Sequence, residues 1–137
     1  FGVNLTLVAP KSLKMPEEIV SDLKALGGVV NETDKLYEQI KDSDVIYMTR
    51  IQKERFPDED EYSKVSGIYT ISESDLVDAK KNMIIMHPLP RVDEIQSNVD
   101  STKHAKYFEQ AFNGIPTRMA LLCKCLEIDI SKGGLLR

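Results

Sequence analysis

The sequence predicts an α/β fold, a doubly wound, Rossmann-like parallel sheet in three α/β/α layers with about four to five strands. Short apolar runs typical of buried strands alternate with segments whose apolar residues recur at helical spacing. Alternation of this kind is typical of a parallel sheet covered on both faces. The length agrees, because 137 residues suffice for one domain with a hydrophobic core.

The first half of the chain predicts three strands and two helices. Asn4 to Ala9 is rich in Leu, Val and Thr, and Pro10 ends it, as expected for a strand. A helix should begin near Pro16, which suits a first turn, and end at Gly27-Gly28. The other elements of this half are two short strands and one short helix, predicted from Val29 and over Val45–Met48 and Lys35–Ile40.

The next region predicts one helix and one strand. Ser72 followed by Asp75 resembles a capping box with Asp in place of Glu, which predicts a helix through about Lys80. Met83 to Met86 is a short apolar run, typical of a buried parallel strand. We therefore count four strands before the final helical segment.

A long helix is predicted from about Lys103 to Ile128. Pro116 lies inside it and lacks an amide hydrogen, so we expect either a kink or two helices joined there. These elements place one domain over residues 1–128 and a carboxyl-terminal tail over residues 129–137. Because the sequence opens at Phe1 without a Met, we expect a fragment of a longer protein.

Composition narrows the class of partner. The net charge of −4 argues against a general nucleic-acid surface, and no apolar run approaches the roughly 20 residues of a membrane span. Cys123 and Cys125 are two apart in a helical segment, so they point away from each other and form neither a disulfide nor a zinc site. Unpaired thiols favour the cytoplasm.

Two charged loops follow predicted strands, where ligands of open α/β sheets bind. In the first loop, Arg50 and Gln52 share one side of an extended segment and could hold a carboxylate together. A surface ion-pair cluster with Glu54 is an equal alternative. The acidic run further along, over residues 58–61, is either a solvated loop or part of a mobile flap.

The second loop is His87-Pro88-Leu89-Pro90-Arg91. Its prolines fix the backbone, so it could present carbonyls to a ligand amino group, with Arg91 serving a nearby anion. The alternative is a stiff turn with His87 held by hydrogen bonds. The sequence shows no nucleophile–base pair, glycine-rich phosphate loop or metal-ligand spacing, so any catalysis would use positioning and electrostatics.

Both loops lie in longer motifs. Tyr47 to Arg55 and Met86 to Ile95 resemble the two signatures of aspartate carbamoyltransferase catalytic chains. Further matches follow in the expected order, at Val99-Asp100, His104-Ala105, Tyr107-Phe108, Gln110-Ala111, Asn113-Gly114 and Arg118-Met119-Ala120-Leu121-Leu122. The resemblance runs from about Leu5 to Ile128 and corresponds to the carboxyl-terminal, aspartate-binding domain of that family.

The resemblance implies an activity and its binding residues. The family transfers a carbamoyl group from carbamoyl phosphate to the amino group of L-aspartate, in pyrimidine biosynthesis, without a metal or organic cofactor. By the resemblance, Arg50 and Gln52 bind the carboxylates of aspartate. Leu89 and Pro90, whose bond is cis in the family, place backbone carbonyls near the carbamoyl group.

The resemblance also implies moving parts and partners. Lys53, Glu54 and Arg55 begin a flap that extends to about Ile68 and swings as two domains close. The family's Ser-Thr-Arg-Thr carbamoyl-phosphate loop belongs to an amino-terminal domain absent here, so no catalytic residue is assigned and the fragment alone should be inactive. Family enzymes are homotrimers of catalytic chains, and the sequence leaves association with regulatory chains open.

Three alternatives compete with this interpretation. Ornithine carbamoyltransferases share the fold and donor, but they carry His-Cys-Leu-Pro where this chain has His87-Pro88-Leu89-Pro90, and they lack the Arg50–Gln52 pair. A non-catalytic fragment or paralogue that binds aspartate or a partner chain is the second. A doubly wound nucleotide-binding domain is the third, and the missing glycine-rich fingerprint disfavours it.

Overall fold

The computed structural model describes residues 2–128, so the predicted tail over residues 129–137 lies outside the described part of the chain. Four strands and four α-helices are present in that part, and short 3₁₀ turns lie between them. In chain order the elements are β1 Asn4–Val8, α1 Glu17–Ala25, β2 Val29–Thr33, α2 Leu36–Ile40, β3 Val45–Tyr47, α3 Glu59–Ser63, β4 Ile84–Met86 and α4 Tyr107–Cys125.

The strands pair in parallel, which confirms the predicted α/β class. β1 pairs with β2, with Leu5 opposite Val30, and β3 pairs with β4, with Ile46 opposite Ile85. Hydrogen bonding thus groups the strands as two parallel pairs, and Val8 at the end of β1 packs against the core beneath the second pair. Within each pair, the strands therefore end at the same edge.

The core lies around β3 and β4 and continues into the segments that follow them. Its fully buried side chains come from five separate parts of the sequence: Ile71, Met83, Ile85, Ile95, Val99 and Tyr107. Burying one such side chain stabilises the fold by about 1.5–3 kcal/mol. The core therefore holds the centres of β3 and β4, from which the two charged loops lead.

Local signals set several boundaries. α1 begins directly after Pro16, and it ends in a Schellman motif, in which the amide of Gly28 donates to the carbonyl of Leu23 at 3.0 Å. Gly27 adopts φ +81°, which a glycine accommodates freely. The capping box of Ser72 and Asp75 is present, but it opens a 3₁₀ turn over Glu73–Leu76 instead of the predicted helix to Lys80.

α4 is one continuous helix, so the prediction of two helices joined at Pro116 is wrong, and the alternative of a kink there stays a prediction. Side chains near the proline donate to carbonyls of the preceding turn: the hydroxyl of Thr117 to Asn113 at 2.7 Å, and Nη1 of Arg118 to Gly114 at 2.9 Å. These bonds supply donors to carbonyls beside the break in the backbone ladder that a proline causes. None of the helices in residues 2–128 is both long and apolar enough to cross a membrane.

One face of α4 carries large apolar side chains with little covering them. They recur every three or four residues, as at the seam of packed helices, and each is more than half exposed: Phe108, Phe112, Ile115, Met119 and Leu122 in α4, and Leu126 directly after it. We call this set the α4 stripe. Large exposed apolar faces of this kind are common at sites of interaction.

Candidate functional site

The two predicted loops meet at one cavity of about 900 Å³. β3 and β4 are parallel neighbours, so their carboxyl ends lie at the same edge, and the loops after them form opposite parts of the cavity wall. Arg50 and Gln52 line it from the first loop, and Leu89 and Pro90 line it from the second. The four residues that the sequence predicts to bind substrates therefore line one cavity.

Arg50 lines the cavity and also forms an ion pair. Its Nη2 donates to Oε1 of Glu54 at 2.6 Å. The pKa of Glu54 is lowered, first by a hydrogen bond from its own backbone amide and then by Arg50 and Arg55. Within residues 2–128 this is the one hydrogen bond that the Arg50 side chain makes, so its remaining N–H donors are available to an anion. The ion pair with Glu54 is therefore observed, and binding of a carboxylate by Arg50 stays a prediction.

Lys53, at the start of the flap, contacts residues in the middle of the flap. Nζ of Lys53 lies 2.5 Å from Oε1 of Glu59 and 5.8 Å from the ring centroid of Tyr62. The hydrogen bond to Glu59 raises the pKa of Lys53. The flap also contains α3, which the sequence analysis had assigned to an irregular loop. Asp58 begins α3 by accepting a hydrogen bond from the amide of Glu61 at 2.8 Å.

The flap should open readily. Its backbone hydrogen bonds over residues 53–68 all join residues within four positions of each other, so none anchors it to the rest of the domain. We expect its amides to exchange at least about a hundred-fold faster than the amide of Ile85, because segments with few long-range contacts open at low free energy. Hydrogen exchange followed by NMR measures this, and flap amides as slow as that of Ile85 would contradict it.

The second loop is held by a buried His–Glu pair. The Leu89–Pro90 bond is cis, and Leu89 adopts φ +51°. Nδ1 of His87 accepts a hydrogen bond from the amide of Leu89 at 2.8 Å, and Nε2 of His87 lies 2.6 Å from Oε1 of Glu94. Burial raises the pKa of Glu94, but hydrogen bonds from its own amide, from Val92 and from His87 outweigh it, so the net pKa is lowered. The stiff turn with His87 held by hydrogen bonds is therefore observed.

Arg91 was expected to serve an anion near the loop, and the structure identifies that anion as Asp100 of the same chain. Its guanidinium binds Asp100 through two nitrogens, and one of these contacts is 2.6 Å. Asp100 raises the pKa of Arg91, and Arg91 in turn lowers the pKa of Asp100. Tyr107 donates its hydroxyl to Asp100, and burial is the main cause that raises the pKa of Tyr107 to about 12. Arg91 thus joins the end of the second loop to Asp100 and Tyr107.

Gln110 of α4 does not line the cavity, but it binds two residues that do, and the sequence pattern did not predict this role. Its Oε1 accepts from the amide of His87 at 3.0 Å, and its Nε2 donates to the hydroxyl of Tyr47 at 3.3 Å. One side chain therefore links the ends of β3 and β4. Spacing gave no signal, because Gln110 and Tyr47 are 63 residues apart. The match of Gln110-Ala111 to the family pattern was the available indication.

Other chemistry is sparse in the described residues. Among residues 2–128, no group of three or more His, Cys, Asp and Glu side chains is arranged to hold a metal ion. Cys123 and Cys125 are free thiols on α4. A second cavity, of about 700 Å³, lies beside α4, but the cavity at the two loops is the one that contains the predicted binding residues.

Comparison with known proteins gives consistent matches. The family model described as aspartate/ornithine carbamoyltransferase, Asp/Orn binding domain, matches residues 1–125. The aspartate carbamoyltransferase catalytic subunit of Methanocella arvoryzae is 52% identical over 130 residues, which cover 95% of this chain and 42% of that protein. The corresponding subunit of Archaeoglobus fulgidus is 52% identical over 126 residues, 92% of this chain and 41% of that protein.

Solved structures agree. The catalytic subunit of M. jannaschii aspartate transcarbamoylase is similar at a TM-score of 0.81 and 51% identity, covering 92% of this chain and 40% of that one. Aspartate transcarbamoylase from Trypanosoma cruzi, solved in complex with carbamoyl phosphate and aspartate, gives a TM-score of 0.77 at 37% identity, with 87% and 40% covered. The chain thus spans about two fifths of the length of the relatives that it matches.

Proposed function

The chain belongs to the aspartate/ornithine carbamoyltransferase family, as an Asp/Orn-binding domain, and we propose that it supplies the aspartate-binding half of an aspartate carbamoyltransferase. The complete enzyme would transfer a carbamoyl group from carbamoyl phosphate to the amino group of L-aspartate, in pyrimidine biosynthesis. The observation that supports this proposal is that one cavity is lined by Arg50, Gln52, Leu89 and Pro90.

In this proposal the two loops hold the two substrates side by side. Arg50 binds a carboxylate of aspartate through its planar fork, and Gln52 adds an amide. The carbonyls of Leu89 and Pro90 accept hydrogen bonds from the amino group of the carbamoyl donor. Holding amine and carbamoyl carbon together lowers the entropic part of the barrier, so the domain contributes by positioning. Lys53, Glu54 and Arg55 lead the flap over the bound substrates.

Aspartate is favoured over ornithine as the acceptor. Arg50, Lys53 and Arg55 line the cavity, and a cationic wall suits an acceptor whose side chain is an anion. The relatives that are 52% identical are named aspartate carbamoyltransferases. Carbamoylation of ornithine in place of aspartate by the full-length chain would overturn this part of the proposal.

The α4 stripe supports a partner within the longer protein. Relatives carry more than twice the length of this chain, and the proposed partner is their amino-terminal, carbamoyl-phosphate-binding domain. Docking α4 on that domain would cover apolar side chains that now face solvent. The family resemblance adds a homotrimer of catalytic chains, with or without regulatory chains, and sedimentation analysis of the full-length chain would count the subunits.

A cytoplasmic location belongs to the same proposal. It is supported by the free thiols of Cys123 and Cys125, since a reducing compartment preserves unpaired cysteines. Fractionation of cells that express the full-length chain would test it.

The decisive test is a complementation assay. Carbamoyl aspartate formation is measured on residues 1–137 alone, on the remainder of the full-length chain alone, on their mixture and on the intact chain. We expect activity in the intact chain and partial recovery in the mixture, with none in either part, because each part holds half of the site. An intact chain that binds aspartate without transferring a carbamoyl group would favour the non-catalytic alternative.

A matched pair of variants tests whether the halves meet at α4. The double substitution Phe112→Ser and Met119→Ser removes two exposed members of the α4 stripe, so it should abolish recovery in the mixture. It should change the stability of the isolated domain by only about 0.5 kcal/mol per site, as usual for exposed positions. Leu26→Ser, at an 86% exposed leucine outside the stripe, is the control and should leave recovery intact.

A further inference from the structure

The backbone of Leu89 adopts a conformation that its own side chain disfavours. Its φ of +51° lies in the left-handed region, where the Cβ of an L-residue crowds the following carbonyl. Such a residue keeps this conformation only where its surroundings hold it. Here the amide of Leu89 donates to Nδ1 of His87 at 2.8 Å, so a side chain two positions earlier restrains it.

The chemistry of that bond defines the state of His87. Because Nδ1 accepts a hydrogen bond from the amide of Leu89, the ring proton must lie on Nε2, which donates to Glu94 at 2.6 Å. His87 is 1% exposed and Glu94 is 4% exposed, so water does not compete for either bond. Oε2 of Glu94 also accepts from the amides of Val92 and Asp93, each at 3.1 Å. One buried pair thus holds the loop on both sides of Pro90.

We propose that His87 is a positioning residue for carbamoyl transfer: its Nδ1 fixes Leu89, and Glu94 fixes the tautomer that makes Nδ1 an acceptor. This inference rests on the proposed function, in which the carbonyls of Leu89 and Pro90 contact the carbamoyl group. His87 borders the cavity, but both ring nitrogens are already bonded to the protein. It therefore acts through the loop, and it is neither an acid nor a base toward the substrate.

Two substitutions of equal polarity separate the functions of the two ring nitrogens. In His87→Asn, the amide oxygen stands near the position of Nδ1 and can accept from Leu89, but the contact with Glu94 is lost. In His87→Gln, the amide nitrogen stands near the position of Nε2 and can donate to Glu94, but Leu89 loses its acceptor. Both variants are made in the full-length chain, and kcat, the KM for aspartate and thermal unfolding are measured.

We expect the two variants to rank in one order by kcat and in the opposite order by unfolding temperature. His87→Gln should lower kcat by about ten- to a hundred-fold, because small misplacements of positioning groups cost that much. Its KM for aspartate should stay close to that of the wild type, since Arg50 and Gln52 lie on the other loop. His87→Asn should keep more of kcat than His87→Gln yet unfold at a lower temperature, because it leaves the buried Glu94 without its ring partner.

The outcomes distinguish this inference from the proposed function. If the wild-type full-length chain forms no carbamoyl aspartate, the proposed function fails. If the wild type is active and kcat in the two variants follows their stability, or His87→Gln raises the KM for aspartate without lowering kcat, the positioning role of His87 fails. The positioning role is established if the wild type is active, His87→Asn retains most of kcat and His87→Gln does not.

Discussion

Replacing Arg50 with Ala in the full-length chain is expected to raise the KM for aspartate by about ten- to a hundred-fold, because hydrogen bonds to charged groups contribute about 1.5–3 kcal/mol. The KM for carbamoyl phosphate should change little, because the proposed contacts of that substrate in this domain are made by Leu89 and Pro90. Steady-state kinetics with each substrate varied in turn measures both values.

Two further variants sharpen this experiment. Arg50→Lys keeps the charge and loses the planar fork, so its KM for aspartate should lie between those of the wild type and Arg50→Ala. Lys81→Ala removes an exposed cation that does not line the cavity, and it should leave both KM values unchanged. An Arg50→Ala enzyme with wild-type kinetics toward aspartate would show that the ion pair with Glu54 is the whole role of Arg50.

The sequence predicted the elements that local chemistry determines. Pro16 places the start of α1, and a Cβ at Gly28 would come within 2.8 Å of the carbonyl oxygen of Leu23, so the glycine belongs to that helix end. The Ser72–Asp75 capping box also formed where it was predicted. Each of these signals acts within a few residues, which is why spacing in the sequence shows it.

The structure differs from the sequence prediction where the local structure depends on an interaction that the sequence pattern does not reveal. α4 passes through Pro116, and side chains of Thr117 and Arg118 bond to nearby carbonyls, which a rule about proline alone does not include. The flap gained α3 because the Asp58 carboxylate caps it, although its acidic composition favoured a loop. The arrangement of strands in two pairs likewise depends on tertiary contacts.

The candidate site, too, was predictable from the sequence only in part. That Arg50 and Leu89 line one cavity followed from topology, because loops after parallel neighbours leave at the same edge. The groups that hold those loops could not be placed, because Gln110 and Glu94 act through contacts that only the folded chain creates. Binding of aspartate by Arg50 and Gln52 stays a prediction until the kinetic experiments are done.

Replacing Asp100 with Ala is expected to lower the free energy of unfolding of this domain by about 2–3 kcal/mol, less than the cost of breaking a fully buried ion pair because the site is partly open to water. The side chains of Arg91 and Asp100 are 19% and 31% exposed. The change leaves the guanidinium of Arg91 without its carboxylate, and the hydroxyl of Tyr107 loses its acceptor. Urea denaturation measures the effect, and Asp78→Ala, at an exposed aspartate, is the control and should be nearly neutral.

The pH dependence of Asp100→Asn provides an independent check. The pKa of Asp100 is lowered in the folded protein, mainly because Arg91 donates hydrogen bonds to it. Its contribution to stability is therefore complete above the unfolded-state pKa of about 3.9 and is lost as the pH falls through the lower folded-state pKa. The stability difference between the wild type and Asp100→Asn should accordingly shrink as the pH falls below about 4. A difference that persists unchanged through that range would mean that the charge of Asp100 does not stabilise the base of the second loop.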